Sequence, residues 1–341
     1  MKKRIIMSDI ARMANVSKST VSLILNNRTE AKFSKETRDK VFQLACQHNF
    51  KLPYLNTDKK EIIGIVISRH IKDFFNDPYY LKIYESLNKY LEKNKFLTVI
   101  LNYTQYFSEN SGITPGESIY CRKLDGLVIM GTVADEFIQQ LLDIKIKFIL
   151  VNFSSEKRIN SVWFDNRLAV IQIIDFLISK NHKNIALLYP DSGGMNYQLR
   201  TRSFTAYMQE KKLKAFLFKT PDNTRKGVYH AAGSFAGEMK YKKITALIGS
   251  DDIMALGAMK ALEDNNLKIP DDISVVGIDD IPDAEKSSPS LTTIRVPAEE
   301  IGEIAGKKII EMLFEEKNII QKIELGTELM IRESSGPAKV N

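Results

Sequence analysis

Cysteine, histidine, tryptophan and glycine are all scarce in this chain of 341 residues, and each shortage closes off a class of chemistry. The two cysteines, Cys46 and Cys121, share no C-x-x-C spacing, so neither a disulfide framework nor a thiol redox pair is expected. The four histidines (His48, His70, His182, His230) are scattered, and none opens a metal-binding H-E-x-x-H. Neither a metal nor a cofactor is expected. With 17 glycines there is no G-x-G-x-x-G fingerprint and no P-loop, and Ser192-Gly193-Gly194 reads as a plain turn. No serine or cysteine occupies a G-x-S-x-G elbow. The acidic clusters suit helix caps and hydroxyl-bearing ligands, so the chain is not expected to be an enzyme. No apolar run is long enough to cross a bilayer and no signal peptide is evident, which points to the cytoplasm.

What the chain does have is positive charge, unevenly placed. Of 49 Lys and Arg, 13 fall within residues 1–60 against only 5 of the 42 Asp and Glu, and the remainder is close to neutral. A solvated basic tail would show the same excess, but this segment also carries helical signals. Ser8 followed by Asp9 reads as an N-cap with an acid in the first turn, before Ile10, Ala11, Met13 and Ala14 at helical spacing. Asn15 tolerates the left-handed turn that ends this helix. Ser17 caps a second helix, Lys18 to about Leu25, with Val21, Ile24 and Leu25 inward, and Ser34 caps a third with Val41, Leu44 and Ala45 on one side. Two short helices joined by a tight turn and braced by a third form a helix-turn-helix unit, whose second helix enters the major groove of DNA. Ser8, Ser17, Lys18, Ser19, Thr20, Ser22, Leu23 and Asn26 are the candidate DNA contacts: Lys18 suits guanine, the hydroxyls suit purines, and Leu23 suits a thymine methyl. Lys2, Lys3, Arg4, Arg12, Arg28, Lys32, Lys35 and Arg38 read as phosphate contacts or solvated charge.

The stretch MSDIARMANVSKSTVSLILNN…FSKETRDKVFQLACQHNF resembles the DNA-binding headpiece of the lac repressor/galactose repressor family, through D-[IV]-A-x-x-A-x-V-S-x-x-T-V-S-x-[IV]-L-N. It departs from that family at Asn15, where glycine is usual, at Leu23, where arginine is frequent, and in a longer loop from Asn26 to Phe33. Pro53 and the polar run Asn56 to Glu61 mark a linker. The resemblance implies a hinge helix there with a leucine wedge for the minor groove. Leu55 is the candidate, although the family's P-N-x-x-A-R-x-L pattern is missing and a plain tether fits equally well.

From Ile62 onward, apolar strands alternate with amphipathic helices, the pattern of parallel α/β sheets, and the length calls for two lobes. Expected strands are 62–67, 97–101, 126–130, 148–152, 184–189, 214–218, 246–249 and 273–278. Expected helices are 80–94, 167–180, 200–211, 253–265 and 299–316. Segments such as KLDGLVIMG, SDDIMALGAMKALEDNNLKIPDDISVVGIDDIP and SPSLTTIRVPAEEIG are similar to the same family's effector-binding core. The expected fold is a small all-α helix-turn-helix headpiece plus an α/β, periplasmic-binding-protein-like core of two doubly wound parallel-sheet lobes. The expected domains are 1–52 headpiece, 53–61 hinge, 62–161 plus 295–326 first lobe, and 162–294 plus 327–341 second lobe.

On that resemblance a small molecule lies between the lobes, at the carboxyl ends of strands. Tyr79, Tyr80, Asn152, Asp165, Arg200, Asp251 and Asp279 are the candidate contacts. Tyrosines stack on a ring face, an arginine forks onto two oxygens, and carboxylates accept from adjacent hydroxyls. Asp252 is assigned as the N-cap of its helix, leaving Asp251 for ligand, and Arg200 is placed at a helix start. Trp163 reads as core. The loop Ser68–Asp77 is longer than is usual in the family, so the effector's identity stays open among a sugar, a sugar phosphate and a nucleobase. The expectation is a transcription regulator, a repressor in most such proteins, acting as a homodimer on double-stranded operator DNA. Control by a protein partner or corepressor, or a binding protein or enzyme with an incidental basic headpiece, are the alternatives.

Overall fold

The computed structural model describes residues 5–25, 33–48, 50, 61–71, 73–107, 114–121, 123–191, 194–315 and 319–339. Leu55 and Asn26, and with them the hinge, lie outside the described residues.

The headpiece is α1 (Met7–Ala14), α2 (Lys18–Leu25) and α3 (Lys35–Gln47). Ile10, Ala14, Val21, Ile24, Leu25, Val41, Phe42 and Ala45 close its core. Ser8 does not cap α1. The helix begins two residues earlier than that cap would place it, with Ile6 at the cap position and its N–H donated to the Asp9 carboxylate at 3.1 Å. Asn15 takes the left-handed conformation, φ 60 and ψ 45, that ends α1. Ser17 accepts from Thr20 N at 2.9 Å and Ser34 from Thr37 N at 3.2 Å, so both expected caps form.

The body follows as β1 (Ile62–Ile67), α4 (Pro78–Lys93), β2 (Leu97–Asn102), α5 (Tyr103–Tyr106), α6 (Pro115–Cys121), β3 (Gly126–Met130), α7 (Asp135–Asp143), β4 (Lys147–Val151), β5 (Ser161–Phe164), α8 (Asn166–Ser179), β6 (Ile185–Pro190) and α9 (Met195–Glu210). It continues as β7 (Ala215–Thr220), α10 (Arg225–Tyr241), β8 (Ala246–Gly249), α11 (Asp252–Asp264), β9 (Ser274–Asp279), α12 (Pro282–Lys286), β10 (Thr292–Arg295), α13 (Ala298–Phe314), β11 (Lys322–Leu325) and β12 (Glu328–Met330).

Two six-stranded sheets result, ordered β11-β5-β4-β3-β1-β2 and β12-β10-β9-β8-β6-β7. The pairings from β1 to β5 and from β6 to β10 are parallel, and β12 joins antiparallel to β10. Both therefore reverse direction of winding at their first strand, the doubly wound arrangement that opens a crevice at the strands' carboxyl ends. Central strands such as GLVIM in β3 are buried along their length, as strands covered on both faces must be.

By compactness the chain divides into Met1–Phe74 with Tyr84–Val162 and Gly302–Lys322, and Phe75–Ile83 with Trp163–Ile301 and Ile323–Asn341. This partition differs from the expected one: the headpiece groups with the first unit and Phe75–Ile83 with the second. The start of α4 goes there because the Tyr79 ring packs edge-on to Phe164, centroids 6.5 Å apart. Among the described residues no helix is long and apolar enough to cross a membrane.

Candidate functional site

In the headpiece, α2 turns Val21, Ile24 and Leu25 inward and leaves Lys18 and Ser19 exposed, with Thr20, Ser22 and Leu23 half-buried. The Ser17 hydroxyl lies 2.7 Å from that of Ser19 and 2.8 Å from that of Thr20, so the first turn of α2 carries a cluster of donor–acceptor groups. Arg38 corrects an expectation. It is not a free basic group, because its guanidinium pairs with Glu117 of α6 at 2.9 Å.

The second polar assembly lies in the second unit, where loops leave the carboxyl ends of strands. Arg200, in the second turn of α9, is 3 % exposed. Its Nε donates to Asn166 Oδ1 at 2.8 Å, one terminal nitrogen donates to the Ser250 carbonyl, and the other stands 3.6 Å from Asp279 Oδ1. The guanidinium also stacks over Phe164 and Tyr197, 5.2 and 5.7 Å from the ring centroids. A cation so pinned presents a fixed plane. Tyr197, one turn before Arg200 on the same helix face, donates its hydroxyl to Asp251 Oδ2 at 2.6 Å and accepts from Asn223 at 2.9 Å.

Two atoms in this assembly stand out. The Tyr79 hydroxyl and Asp279 Oδ1 are buried with no hydrogen-bond partner in the protein. Each such group costs about 1–3 kcal/mol if left unsatisfied. Asp279 is further held at φ 126, with Asp280 following at φ 55, in backbone regions that non-glycine residues rarely occupy. Burial drives the carboxyl pKa of Asp279 well above the usual range, which Arg200 partly offsets and Asp251 reinforces. Burial likewise raises Asp251, and it raises the hydroxyls of Tyr79 (with Asp279 adding) and Tyr197 (with Asp251 adding).

The structure thus brings Tyr79, Arg200, Asp251 and Asp279 together. Tyr80 packs edge-on against Tyr79 at 5.2 Å and is half-buried. Asp165 is not drawn in: its carboxylate is the N-cap of α8, accepting from Leu168 N at 2.8 Å. Asn152 belongs to the first unit, buried after β4 at φ 54. Two expectations are corrected. Asp251, not Asp252, caps α11, accepting from Met254 N at 2.7 Å. Asp252 instead is fully buried, accepting from Ile281 N and from the Thr293 hydroxyl. And Arg200 does not begin its helix, since α9 starts five residues earlier behind Gly194, which has no side chain to announce a cap. That misplaced start is why Tyr197 was missed. Asn166 and Asn223 carried no sequence signal beyond ordinary loop composition. Trp163 is half-buried rather than core, its indole donating to Glu324 at 2.7 Å. Among the described residues no cluster of three His, Cys, Asp or Glu could hold a metal ion.

A helix-turn-helix headpiece with a two-sheet α/β body that holds a buried polar cluster at its strand ends is the build of a ligand-responsive transcription regulator. The chain carries a DNA-binding domain of the lacI family of bacterial regulatory proteins at residues 6–52, and residues 174–335 match the periplasmic binding protein-like domain. Relatives include the probable HTH-type transcriptional repressor ExuR of Bacillus subtilis (strain 168), 25 % identical, with 96 % of this chain and 97 % of the relative covered. The HTH-type transcriptional repressor MelR of the same organism is 27 % identical, with 96 % of each covered. A LacI family transcriptional regulator from Enterococcus faecium solved with bound ribose superposes with a TM-score of 0.69 at 25 % identity, covering 82 % of this chain and 100 % of that one. The lac repressor dimer bound to operator and anti-inducer has the same fold, TM-score 0.72 at 21 % identity, over 98 % and 100 % of the chains. Both Bacillus subtilis relatives are described as transcriptional repressors, ExuR as a probable one.

Proposed function

We propose that this chain is a cytoplasmic, homodimeric repressor whose affinity for operator DNA is set by a sugar or sugar phosphate bound at the cluster of the second unit. Lys18, Ser19, Thr20, Ser22 and Leu23 would read base edges. Arg200 and Asp279 would hold adjacent hydroxyls from opposite sides of the hydrogen bond, Asp251 and Tyr197 would extend the donor–acceptor surface, and the Tyr79 hydroxyl would complete it. The observation that carries the ligand half of this reading is the unpartnered, buried pair of Tyr79 hydroxyl and Asp279 Oδ1 beside a pinned arginine. A polar molecule that satisfied both would recover the cost of leaving them bare. Relatives crystallised with ribose and cellobiose make sugars the first class to try. A dimer is the natural form, because major-groove half-sites recur one helical turn or more apart. Ligand that favours one state of the protein then shifts operator affinity by its differential affinity for the two states.

The test has two arms. Gel shifts at several salt concentrations should show tighter binding to DNA upstream of the chain's own gene than to random duplex. A thermal-shift screen of sugars, sugar phosphates and nucleobases should yield a compound that raises the melting temperature, and Arg200→Ala should abolish that rise. Binding to upstream DNA no tighter than to random sequence would overturn the regulator reading.

A further inference from the structure

Among the described headpiece residues Arg12, Lys18, Lys35 and Lys40 are open to solvent, but one face of α3 is not. Arg38, on that face, reaches Glu117 of α6 with two nitrogens, Nε at 3.1 Å and a terminal nitrogen at 2.9 Å from the same carboxylate oxygen. One turn on, the Cβ of Phe42 lies against Gly116, so close that a methyl added at 116 would stand 3.8 Å from it. At the far end of α3, Gln47 donates to the carbonyl of Asp143, the last residue of α7, at 3.1 Å. Asp39 lies beside Thr114 and Glu117, where burial first and the Glu117 charge second raise its carboxyl pKa. Glu117 is itself 7 % exposed, and its second oxygen accepts from Thr114 N, closing the N-terminus of α6. Residues 38, 42 and 47 thus share contacts with the body while Val41 and Ala45 serve the headpiece core. The third helix is buried on two sides.

We infer that α3 is a docking helix: the headpiece is seated on the first unit through Arg38, Phe42 and Gln47 against α6 and α7, so that the linker is not its only connection to the body. The seat leaves Lys18 and Ser19 of α2 exposed, so the docked headpiece can still meet a duplex. Its consequence is mechanical. The aim of the reading helix follows the first unit as one body, and Glu117 becomes the residue through which a shift of that unit reaches DNA. A buried carboxylate paired with one arginine and crowded by a second carboxylate is a specific latch, because removing Arg38 leaves the Glu117 charge buried and uncompensated.

Amide hydrogen exchange of α3 in the full-length protein tests this. Arg38→Glu and Glu117→Arg should each speed exchange of residues 39–47 about tenfold, and the doubly reversed chain should return to within about threefold of the parent, the signature of a direct pair. Asp39→Asn, which removes the crowding charge, should slow exchange, an effect opposite in sign to ordinary loss of a native residue. Glu117→Arg could also loosen α6, so Gly116→Leu provides an independent wedge that leaves the Thr114–Glu117 cap intact and should free α3 to the same extent. Parent-like α3 exchange in both Arg38→Glu and Gly116→Leu would overturn the docking. So would a double reversal that exchanges as fast as either single variant.

Discussion

The two units are wound alike, five parallel strands in the order 2-1-3-4-5 with a sixth at the edge, yet they bury charge in different places. In the first, the buried charged side chains among the described residues are Glu117 on α6 and Lys308 on α13, and Glu117 faces the headpiece. In the second, Arg200, Asp251 and Asp252 are buried at the carboxyl ends of strands, with Asp279 close behind at 10 % exposure. Burying a charge is costly unless it is paired, so a fold repeated twice should show charge only where something is gained. On the two proposals above the difference is a division of labour: Glu117 in the first unit addresses the headpiece, and Arg200, Asp251 and Asp279 in the second address a small molecule, while Lys308 and Asp252 are paired within their own units.

The sharpest way to break that comparison is Arg200→Ala. It removes the cation beside Asp279 and the partner of Asn166 and Ser250, and should destabilise the second unit by about 3–5 kcal/mol, as loss of one member of a buried pair does. Arg200→Lys keeps the charge but not the fork or the stacking, and should retain fold while losing ligand response. Chemical denaturation of both variants checks this, and an unchanged denaturation midpoint for the alanine variant would refute it.

Asp252 gives the next largest effect. Burial raises its pKa from the ordinary carboxylate range to about 7. Between roughly pH 4 and 7 the folded chain then holds a proton that the unfolded chain has released, so stability falls as pH rises through that window and levels off above it. The swing is at most about 4 kcal/mol. Asp252→Asn mimics the protonated form, able to donate to Thr293 and accept from Ile281 N, and should flatten the dependence. Denaturation at pH 5 and pH 8 measures it.

Much of this architecture was legible from residue pattern, and the gaps have physical causes. Strands β1, β3 and β8 appear at their expected bounds because fully buried parallel strands are unbroken apolar runs between turn residues. Helix α10 escaped notice because Gly227, Gly233 and Gly237 interrupt its helical reading, and its stability comes from packing Val228, Ala232, Ala236 and Met239. The strands β10, β11 and β12 are no longer than β8 but carry polar residues (TTIR, KIEL, ELM), so no unbroken apolar run marks them. In the cluster, Arg200, Asp251 and Asp279 were identifiable as residue types that recognise hydroxyls. Which aspartate caps α11 was not, since adjacent Asp251 and Asp252 satisfy the same local rule and only their partners separate them, Met254 N for Asp251 and the distant Ile281 N and Thr293 hydroxyl for Asp252. The Arg38–Glu117 pair joins residues 79 apart in sequence, beyond any local signal.

In the headpiece, Lys18→Ala and Thr20→Ala should each weaken binding to operator by about 1–3 kcal/mol while leaving ligand-induced thermal shifts intact. Arg200→Lys should do the reverse. A gel shift and a thermal shift on the same three proteins would separate the two functions, and equal loss of both in every variant would erase the division between headpiece and second unit.

The smallest effect concerns a feature both units share. At Lys95 and Lys145 in the first, and Asn181, Lys212, Lys243 and Asn266 in the second, a non-glycine residue just past a helix adopts the left-handed region. At Lys95 the backbone closes the Schellman pattern, Phe96 N to Leu91 O and Lys95 N to Glu92 O, which glycine most often terminates. A side chain there costs about 1–2 kcal/mol, and glycine's greater unfolded freedom returns about half of that gain to the unfolded state. Lys95→Gly and Lys212→Gly should therefore each stabilise their own unit by about 0.5–1 kcal/mol without changing DNA or ligand affinity. If either substitution instead altered operator binding, the turn would belong to the switching machinery of its unit and not merely to its fold.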